Sequence, residues 1–179
     1  MNDISDLINR LNKRGAYTVA LQFPAGLKRR AAEYTAPLRE AGFAVIISGD
    51  PCYGACDLAL DTLDHADVLV HIGHSPVDER EDVVCEPYPV GFDIAVLVNA
   101  LPHLKEKTTV QHIHLIPAME LFLREKGIDV RVADGRTRAP NRGQVLGCSF
   151  TAARATKAPE ILFVGTGVFH PIGIALSTG

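Results

Sequence analysis

Residues 43–57 read FAVIISGDPCYGACD and join an apolar run to a cysteine-bearing loop. The run 43–48 predicts a strand of a parallel sheet, because strands that are covered on both faces are apolar throughout. The loop 49–57 then falls at the carboxyl end of that strand, which is where open α/β sheets bind their ligands. We therefore expect Cys56 to lie at a ligand-binding edge of the sheet.

A second cysteine lies in a comparable loop, at 143–150, which reads GQVLGCSF. Cys56 follows Gly-Ala and Cys148 follows Gly, so both loops have room for a bulky group that backbone N–H groups can approach. Thiolates are the ligands of iron–sulfur clusters and of zinc. We predict that the two loops converge on one metal cluster held by Cys56 and Cys148. From the spacing alone, two buried thiols are the commoner outcome, because free cysteine is among the most buried residue types.

The composition limits the class of protein. The chain has 179 residues, of which 47% are apolar and 22% charged, enough for one large domain or two small ones. A net charge of −3 argues against non-specific nucleic-acid binding, which needs a basic face. No apolar run approaches the ~20 residues of a membrane span, and the N-terminus lacks the apolar block of a signal peptide. We predict a cytoplasmic protein without membrane or nucleic-acid partners, whose four cysteines suit metal binding better than disulfides.

Strands and helices are predicted to alternate along the chain, which indicates an α/β fold of parallel sheets flanked by helices. The region 77–89 is charged and contains prolines, so it is predicted as a surface loop. The predicted strands are 17–22, 43–48, 67–72, 92–99, 108–113, 128–132 and 161–164. The first predicted helix ends at Gly15, and the last begins after Gly167. The predicted helices between them are 27–41, 58–65, 116–126 and 152–158.

Two α/β domains are predicted, a first at 1–100 and a second at 101–179. The last residues, 174–179, lie in the middle of a predicted helix without a capping signal. We therefore expect the chain to be a fragment of a longer protein whose second domain is incomplete here.

Two further pairs of residues have metal-ligand spacing. Cys52 precedes Cys56 by four residues, which on a helix would place both thiolates together as half of a zinc site. His112 and His114 would share one face of a strand and could chelate a metal, although such a pair is more often a polar strand or helix entry. Zinc is therefore the less favoured interpretation at the histidine pair.

Polar residues follow two of the predicted strands. Gln22 ends the first strand and His74 follows the third, so both should share the sheet edge that carries Cys56. Either side chain could contact a cofactor or a substrate there. His74 could equally cap the turn that contains Pro76.

The turn Gly165-Thr166-Gly167 lies between a predicted strand and a predicted helix, with His170 close behind. Backbone N–H groups at a helix N-terminus can bind a carboxylate. The alternative is a plain strand-to-helix turn, since the third glycine of a dinucleotide fingerprint is missing.

Six motifs resemble, in the same order and over essentially the whole chain, the archaeal diphthamide synthase radical enzymes, the 2-(3-amino-3-carboxypropyl)histidine synthases. Each motif is weak alone, and the six in order are specific. They are QFPAGLKR (22–29), YGACD (53–57), HIGHS (71–75), QHIH (111–114), GQVLGC (143–148) and FVGTGVFHP (163–171).

The resemblance implies three similar α/β domains arranged with pseudo-symmetry around a central site, of which this chain holds the first and part of the second. In that family one cysteine from each domain binds a 4Fe–4S cluster. Cys56 matches the first of these ligands and Cys148 the second, and the third would lie in a domain that this chain does not contain. Cys52 and Cys85 do not fall on cluster positions.

The resemblance also implies the reaction. The cluster cleaves S-adenosylmethionine to a 3-amino-3-carboxypropyl radical, which is transferred to a histidine of translation elongation factor 2 in the first step of diphthamide biosynthesis. The resemblance therefore implies a transferase that acts as a homodimer. Its activity would require the missing C-terminal domain. The residues expected to bind the cofactor are Gly165, Thr166, Gly167, His170, Gln22 and His74.

Two other functions stay open, a quinolinate-synthase-like iron–sulfur dehydratase and an inert partner subunit. The presence of both Cys56 and Cys148 argues against the inert subunit. Arg136, Arg138 and Arg142 form a basic loop ahead of Cys148 that could meet an acidic patch of a protein substrate, although a solvated loop is the more usual outcome.

Overall fold

A computed structural model describes residues 4–104, 106–107, 109–110, 113–136 and 138–179 of the chain. The chain divides into two compact units, Met1–Tyr88 and Pro89–Gly179. The domain boundary predicted at residue 100 stays a prediction about the longer protein. No helix in the described ranges combines the length and the apolar character needed to cross a bilayer.

The first unit contains a sheet of four parallel strands, in the order β2-β1-β3-β4. The strands are β1 (Thr18–Gln22), β2 (Ala44–Ile47), β3 (Val68–Ile72) and β4 (Val83–Glu86). The predicted α/β architecture of parallel strands and helices is thereby confirmed.

The two central strands are apolar because the fold covers both of their faces. Every residue of β3 is buried, and so is every residue of β1 after Thr18. Helices α1 (Ser5–Lys13) and α2 (Ala32–Glu40) contribute the apolar side chains that complete this core. The helical side chains that are fully buried are Leu7, Leu11, Tyr34 and Leu38.

The strand order places a topological switch point at the carboxyl ends of β1 and β3. The chain passes from β1 to its neighbour β2 on one side and then crosses to β3 on the other. The loops after β1 and β3 therefore separate, and such a topological switch point is the usual binding site of a doubly wound sheet. Gln22 and His71, the register partners at this edge, lie directly beside each other.

Several predictions about secondary structure were wrong, among them the single helix 27–41, which is a 3-10 helix, Ala25–Arg30, followed by α2. The predicted strand 92–99 is instead part of a 3-10 helix, Ile94–His103, whose N-cap Asp93 accepts a hydrogen bond from the backbone N–H of Ala95 at 2.9 Å. The predicted loop 77–89 contains β4, which pairs with β3 at the edge of the described sheet. The predicted helix 58–65 is a shorter 3-10 helix, Leu60–Asp64.

In the part of the second unit that the structure describes, there are two small parallel pairs of strands and three α-helices. Strand β5 (Glu106–Lys107) pairs with β7 (Asp129–Val130), and β6 (Thr109–Val110) pairs with β8 (Leu162–Phe163). The helices are α3 (Ile116–Glu125), α4 (Thr151–Thr156) and α5 (Phe169–Thr178). One core of this unit is formed by Leu97, Ile116, Met119, Leu123, Val130 and Val164.

Candidate functional site

Cys56 lies in a tight turn at the edge of the first sheet. Two hydrogen bonds of 3.0 Å close this turn, one from the backbone N–H of Tyr53 to the Asp57 carboxylate and one from the backbone N–H of Asp57 to the carbonyl of Gly54. The turn exposes the Cys56 side chain, so the alternative of a buried thiol is wrong at this position.

Gln22 ties the end of β1 to the cysteine turn. Its Nε2 donates to the Asp57 carbonyl at 2.7 Å, and its Oε1 accepts from the backbone N–H of Ala59 at 3.1 Å. The same Oε1 lies 2.7 Å from Nδ1 of His71. With three bonds made by a side chain that is 1% exposed, Gln22 is a fixed part of this edge.

His71, His74 and Cys52 form a cluster behind the cysteine turn. Nε2 of His71 lies 2.9 Å from Nδ1 of His74, and the two rings are stacked with their centroids 5.0 Å apart. Sγ of Cys52 lies 4.0 Å from the same Nδ1 atom. The predicted residue His74 is therefore held between two neighbours that the sequence prediction had not placed at the site.

Burial favours the neutral forms of all three side chains. It lowers the pKa of His71 to about 4, with the nearby His74 adding to the effect. It also lowers the pKa of His74 and raises the pKa of the Cys52 thiol. The cluster is therefore a set of neutral nitrogen and sulfur donors near neutral pH.

Cys52 and Cys56 do not share a helix, because neither residue lies in one. The prediction of a helical half-site from their four-residue spacing was wrong. Cys52 turns into the protein toward His74, whereas Cys56 is exposed. Their different burial accompanies their positions, because Cys52 precedes the turn at Tyr53–Asp57 and Cys56 lies within it.

Cys148 occupies the tip of a second tight turn. Leu146 and Ser149 exchange both backbone hydrogen bonds, at 2.9 and 3.0 Å, so that only Gly147 and Cys148 lie between them. The Cys148 side chain is exposed, and the buried-thiol alternative is wrong here too.

The turn Gly165–Gly167 follows β8 and leads into α5, as predicted. Gly167 has a φ of +72°, a conformation that favours glycine. The ring of Phe169, the first residue of α5, lies so close to Gly147 that an added Cβ there would meet its Cε1 at 2.6 Å. The turn that carries Cys148 and the start of α5 are therefore neighbours within the second unit.

His170 packs between two aromatic rings at the start of α5. Its ring centroid lies 6.1 Å from that of Phe163 and 5.5 Å from that of Phe169. Burial among these neighbours lowers the pKa of His170. A neutral imidazole thus lies beside the predicted cofactor turn.

Arg142 is not a free member of the basic loop. Its guanidinium binds both carboxylate oxygens of Glu120, one of them at 2.8 Å, and so attaches the loop ahead of Cys148 to α3. Arg136 and Arg138 are exposed. His114 contacts the Val90 carbonyl at 3.4 Å, and His112 lies outside the described residues, so their pairing stays a prediction.

Each unit thus assembles its own part of the predicted site. The first brings Gln22 and His74 to the edge that carries Cys56, and the second brings Gly165–Gly167 next to the turn of Cys148. The convergence of the two cysteines on one cluster stays a prediction.

Comparison with known proteins gives the family. The family model of diphthamide synthesis proteins matches residues 23–179. The chain belongs to this family. It is 34% identical to the 2-(3-amino-3-carboxypropyl)histidine synthase of Pyrococcus horikoshii over 97% of its own length and 54% of that protein. It is 29% identical to subunit 1 of the corresponding synthase from Caenorhabditis elegans, covering 85% of this chain and 42% of that one.

Solved structures support the same assignment. The crystal structure of Dph2 from P. horikoshii with a 4Fe-4S cluster superposes with a TM-score of 0.84 and 32% identity, over 98% of this chain and 55% of that one. A second crystal structure of the same protein gives a TM-score of 0.80 and 33% identity, over 97% and 54% of the two chains. The chain spans about half the length of the relatives that it matches.

Proposed function

We propose that this chain is part of an iron–sulfur transferase that modifies a histidine of translation elongation factor 2 in the first step of diphthamide biosynthesis. The modifying group is the 3-amino-3-carboxypropyl radical derived from S-adenosylmethionine. One observation carries the proposal: two exposed thiols occupy the tips of tight, small-residue turns in a chain whose structural neighbour carries a 4Fe-4S cluster.

Cys56 and Cys148 are the proposed cluster ligands of this chain. The donor set fits the group, because thiolate is the usual ligand of iron–sulfur clusters and both side chains are exposed. The third ligand is proposed to come from a further domain of the longer, three-domain protein. When bound, the cluster supplies the redox chemistry for C–S cleavage, and the protein supplies binding and orientation.

The remaining predicted residues are proposed to bind and orient the substrate. The backbone N–H groups of Gly165, Thr166 and Gly167 precede the ten-residue helix α5, where they can receive the carboxylate of S-adenosylmethionine. His170 offers a neutral ring beside them, which suits a neighbouring sulfonium cation better than an imidazolium would. Gln22 holds the Cys56 turn, and His74 offers a polar contact from the first unit.

The proposed partner is elongation factor 2, and the proposed assembly is a homodimer. Because the substrate is a translation factor, we place the activity in the cytoplasm. An acidic surface of the factor is a suitable partner for the exposed residues Arg136 and Arg138.

The test is anaerobic reconstitution of the longer protein with iron and sulfide, followed by incubation with labelled S-adenosylmethionine and elongation factor 2. We expect a brown protein with the broad visible absorption of a cluster, which is lost in Cys56→Ser and in Cys148→Ser and kept in the matched control Cys85→Ser. We also expect label on the factor. A colourless wild-type protein contradicts the proposal.

The labelling step separates the proposal from its alternatives. A quinolinate-synthase-like dehydratase would bind the cluster and leave the factor unlabelled. An inert partner subunit would give neither cluster-dependent cleavage of S-adenosylmethionine nor label unless an active subunit were added.

A further inference from the structure

The cluster of Cys52, His71 and His74 has the chemistry and the geometry of a metal site. One ligand atom from each residue lies within 4.8 Å of the other two. Nδ1 of His74 lies 4.0 Å from Sγ of Cys52 and 2.9 Å from Nε2 of His71. None of the three residues is a proposed cluster ligand, and His74 is also a proposed contact to the substrate.

Hydrogen bonds prepare His71 as a ligand. The Gln22 amide is oriented by its bonds to the Asp57 carbonyl and the Ala59 N–H, which leaves its Oε1 facing Nδ1 of His71. An amide oxygen only accepts, so Nδ1 carries the proton and Nε2 presents a lone pair toward His74. Histidine ligands of metals are commonly held in this way, through the nitrogen that does not bind the metal.

We propose that Cys52, His71 and His74 bind one divalent transition-metal ion of the zinc class at the carboxyl edge of the first sheet. One thiolate and two imidazoles form a donor set typical of zinc. Zinc–sulfur and zinc–nitrogen distances of about 2.3 and 2.0–2.1 Å would hold tetrahedral ligand atoms roughly 3.3–3.7 Å apart. The separations of 2.9 Å between the two nitrogens and 4.0 Å between sulfur and nitrogen lie on either side of that range.

Binding has a simple proton balance. The Cys52 thiol releases its proton to solvent, and the proton on Nδ1 of His74 moves to the other ring nitrogen, so the ion meets one thiolate and two neutral imidazoles. No oxidant or reductant is required. The fourth position is open to water or to a ligand.

The position of the site indicates its effect. His71 and His74 are fixed at the end of β3, and Cys52 directly precedes the turn that begins at Tyr53 and carries Cys56. An ion shared by these three residues would fasten that turn to the sheet. Bound metal should therefore stabilise the first unit, because a ligand that binds only the folded state raises its stability.

The experiment titrates cobalt(II), a spectroscopic substitute for zinc, into the full 179-residue chain after removal of metals under anaerobic, reducing conditions. We expect about one ion per chain, with the visible bands of tetrahedral cobalt, a near-ultraviolet thiolate charge-transfer band and full displacement by zinc. We also expect zinc to raise the midpoint of thermal unfolding of the metal-free protein.

The variants locate the ion. Cys52→Ser should lose the thiolate band, and His74→Asn should weaken cobalt binding by at least about tenfold. The matched controls Cys85→Ser and His65→Asn should bind as the wild type does. So should the double variant Cys56→Ser/Cys148→Ser, which removes the proposed cluster ligands.

Three results would overturn the proposal. The first is that the wild type does not bind cobalt stoichiometrically. The second is that the cobalt spectra are unchanged in both Cys52→Ser and His74→Asn, and the third is that Cys56→Ser/Cys148→Ser loses cobalt binding. Circular dichroism of each variant shows whether it is folded. If Cys52→Ser does not fold, the cobalt titration of His74→Asn decides the test. His74 is only half-buried, so this substitution perturbs the core least.

Discussion

The Oε1 atom of Gln22 lies 2.7 Å from Nδ1 of His71, between register partners at the ends of the two central strands. Because that oxygen only accepts hydrogen bonds, we predict that His71 in the metal-free chain is the Nδ1–H tautomer at neutral pH. Nitrogen-15 NMR of the imidazole rings identifies the protonated nitrogen directly. A signal from an Nε2–H tautomer at His71 would contradict this arrangement.

The same glutamine supports a second prediction, about stability. Gln22→Met preserves the length of the side chain but leaves the Asp57 carbonyl and the Ala59 N–H without their partner. We expect the free energy of unfolding to fall by about 2–3 kcal/mol, since an unsatisfied buried polar group costs about 1–3 kcal/mol. Urea denaturation measures the change. Glu40→Met, at an exposed position of α2, is the control and should change stability by less than about 0.5 kcal/mol; equal effects of the two variants would contradict the prediction.

A third prediction concerns acid stability. The Asp67 carboxylate accepts hydrogen bonds from the backbone N–H groups of Thr18 and Tyr17, both at 2.8 Å, and these bonds lower its pKa below the ordinary 3.8. A carboxyl group whose pKa is lower in the folded state stabilises the protein above the unfolded-state pKa and loses that effect as the pH falls through the folded-state pKa.

Asp67→Asn should therefore reduce stability more at about pH 6 than in acid, because the stabilising effect of the wild-type carboxylate is lost as the pH falls through its folded-state pKa. Urea denaturation across this range measures the difference. The control Asp61→Asn removes an exposed charge of the same kind. Parallel pH profiles for the wild type and Asp67→Asn would refute the prediction.

The sequence predicted the parts of the fold that are set by local apolar runs. Strands β1, β2 and β3 were found because their runs are bounded by turn residues. Strand β4 was missed because an edge strand pairs on one side only, and its short apolar run lies among charged residues. The segment 92–99 has the same apolar character as a strand, and the capping by Asp93 was a local signal for a helix start.

The site was predicted in the same partial way. The positions of Gln22 at the end of one strand and of His74 after another placed both residues at this edge, and their roles stay predictions. His71 was taken as one more residue of a strand and Cys52 as a possible partner of Cys56. What brings Cys52 to the two histidines is the parallel order β2-β1-β3, which puts the chain after β2 and the chain after β3 at one edge of the sheet, together with the turn at Tyr53–Asp57. Neither can be derived from spacing along one chain, although the H-x-x-H pattern at the end of a strand was a usable signal.

The last prediction concerns the second unit, where Arg142 fastens the loop ahead of Cys148. Glu120 on α3 is only 8% exposed, and its carboxylate receives two hydrogen bonds from the Arg142 guanidinium. Arg142→Gln should lower the free energy of unfolding of this unit by about 1–2 kcal/mol. Among the described residues it leaves the nearly buried Glu120 carboxylate with the 3.4 Å contact to Arg124, while the partial exposure of Arg142 limits the loss.

Arg138→Gln is the matched control, since it removes the same charge from the same loop at an exposed position. Urea denaturation measures the free energy of unfolding of both variants. The same measurement on Glu120→Gln and on the double variant Glu120→Gln/Arg142→Gln gives the coupling between the two residues, which is the non-additive part of the change. If Arg142→Gln and Arg138→Gln cost the same, net charge and not this pair would determine the effect. A coupling near zero would mean that the Cys148 turn is held by its own backbone bonds and by Phe169, and that the ion pair adds little to them.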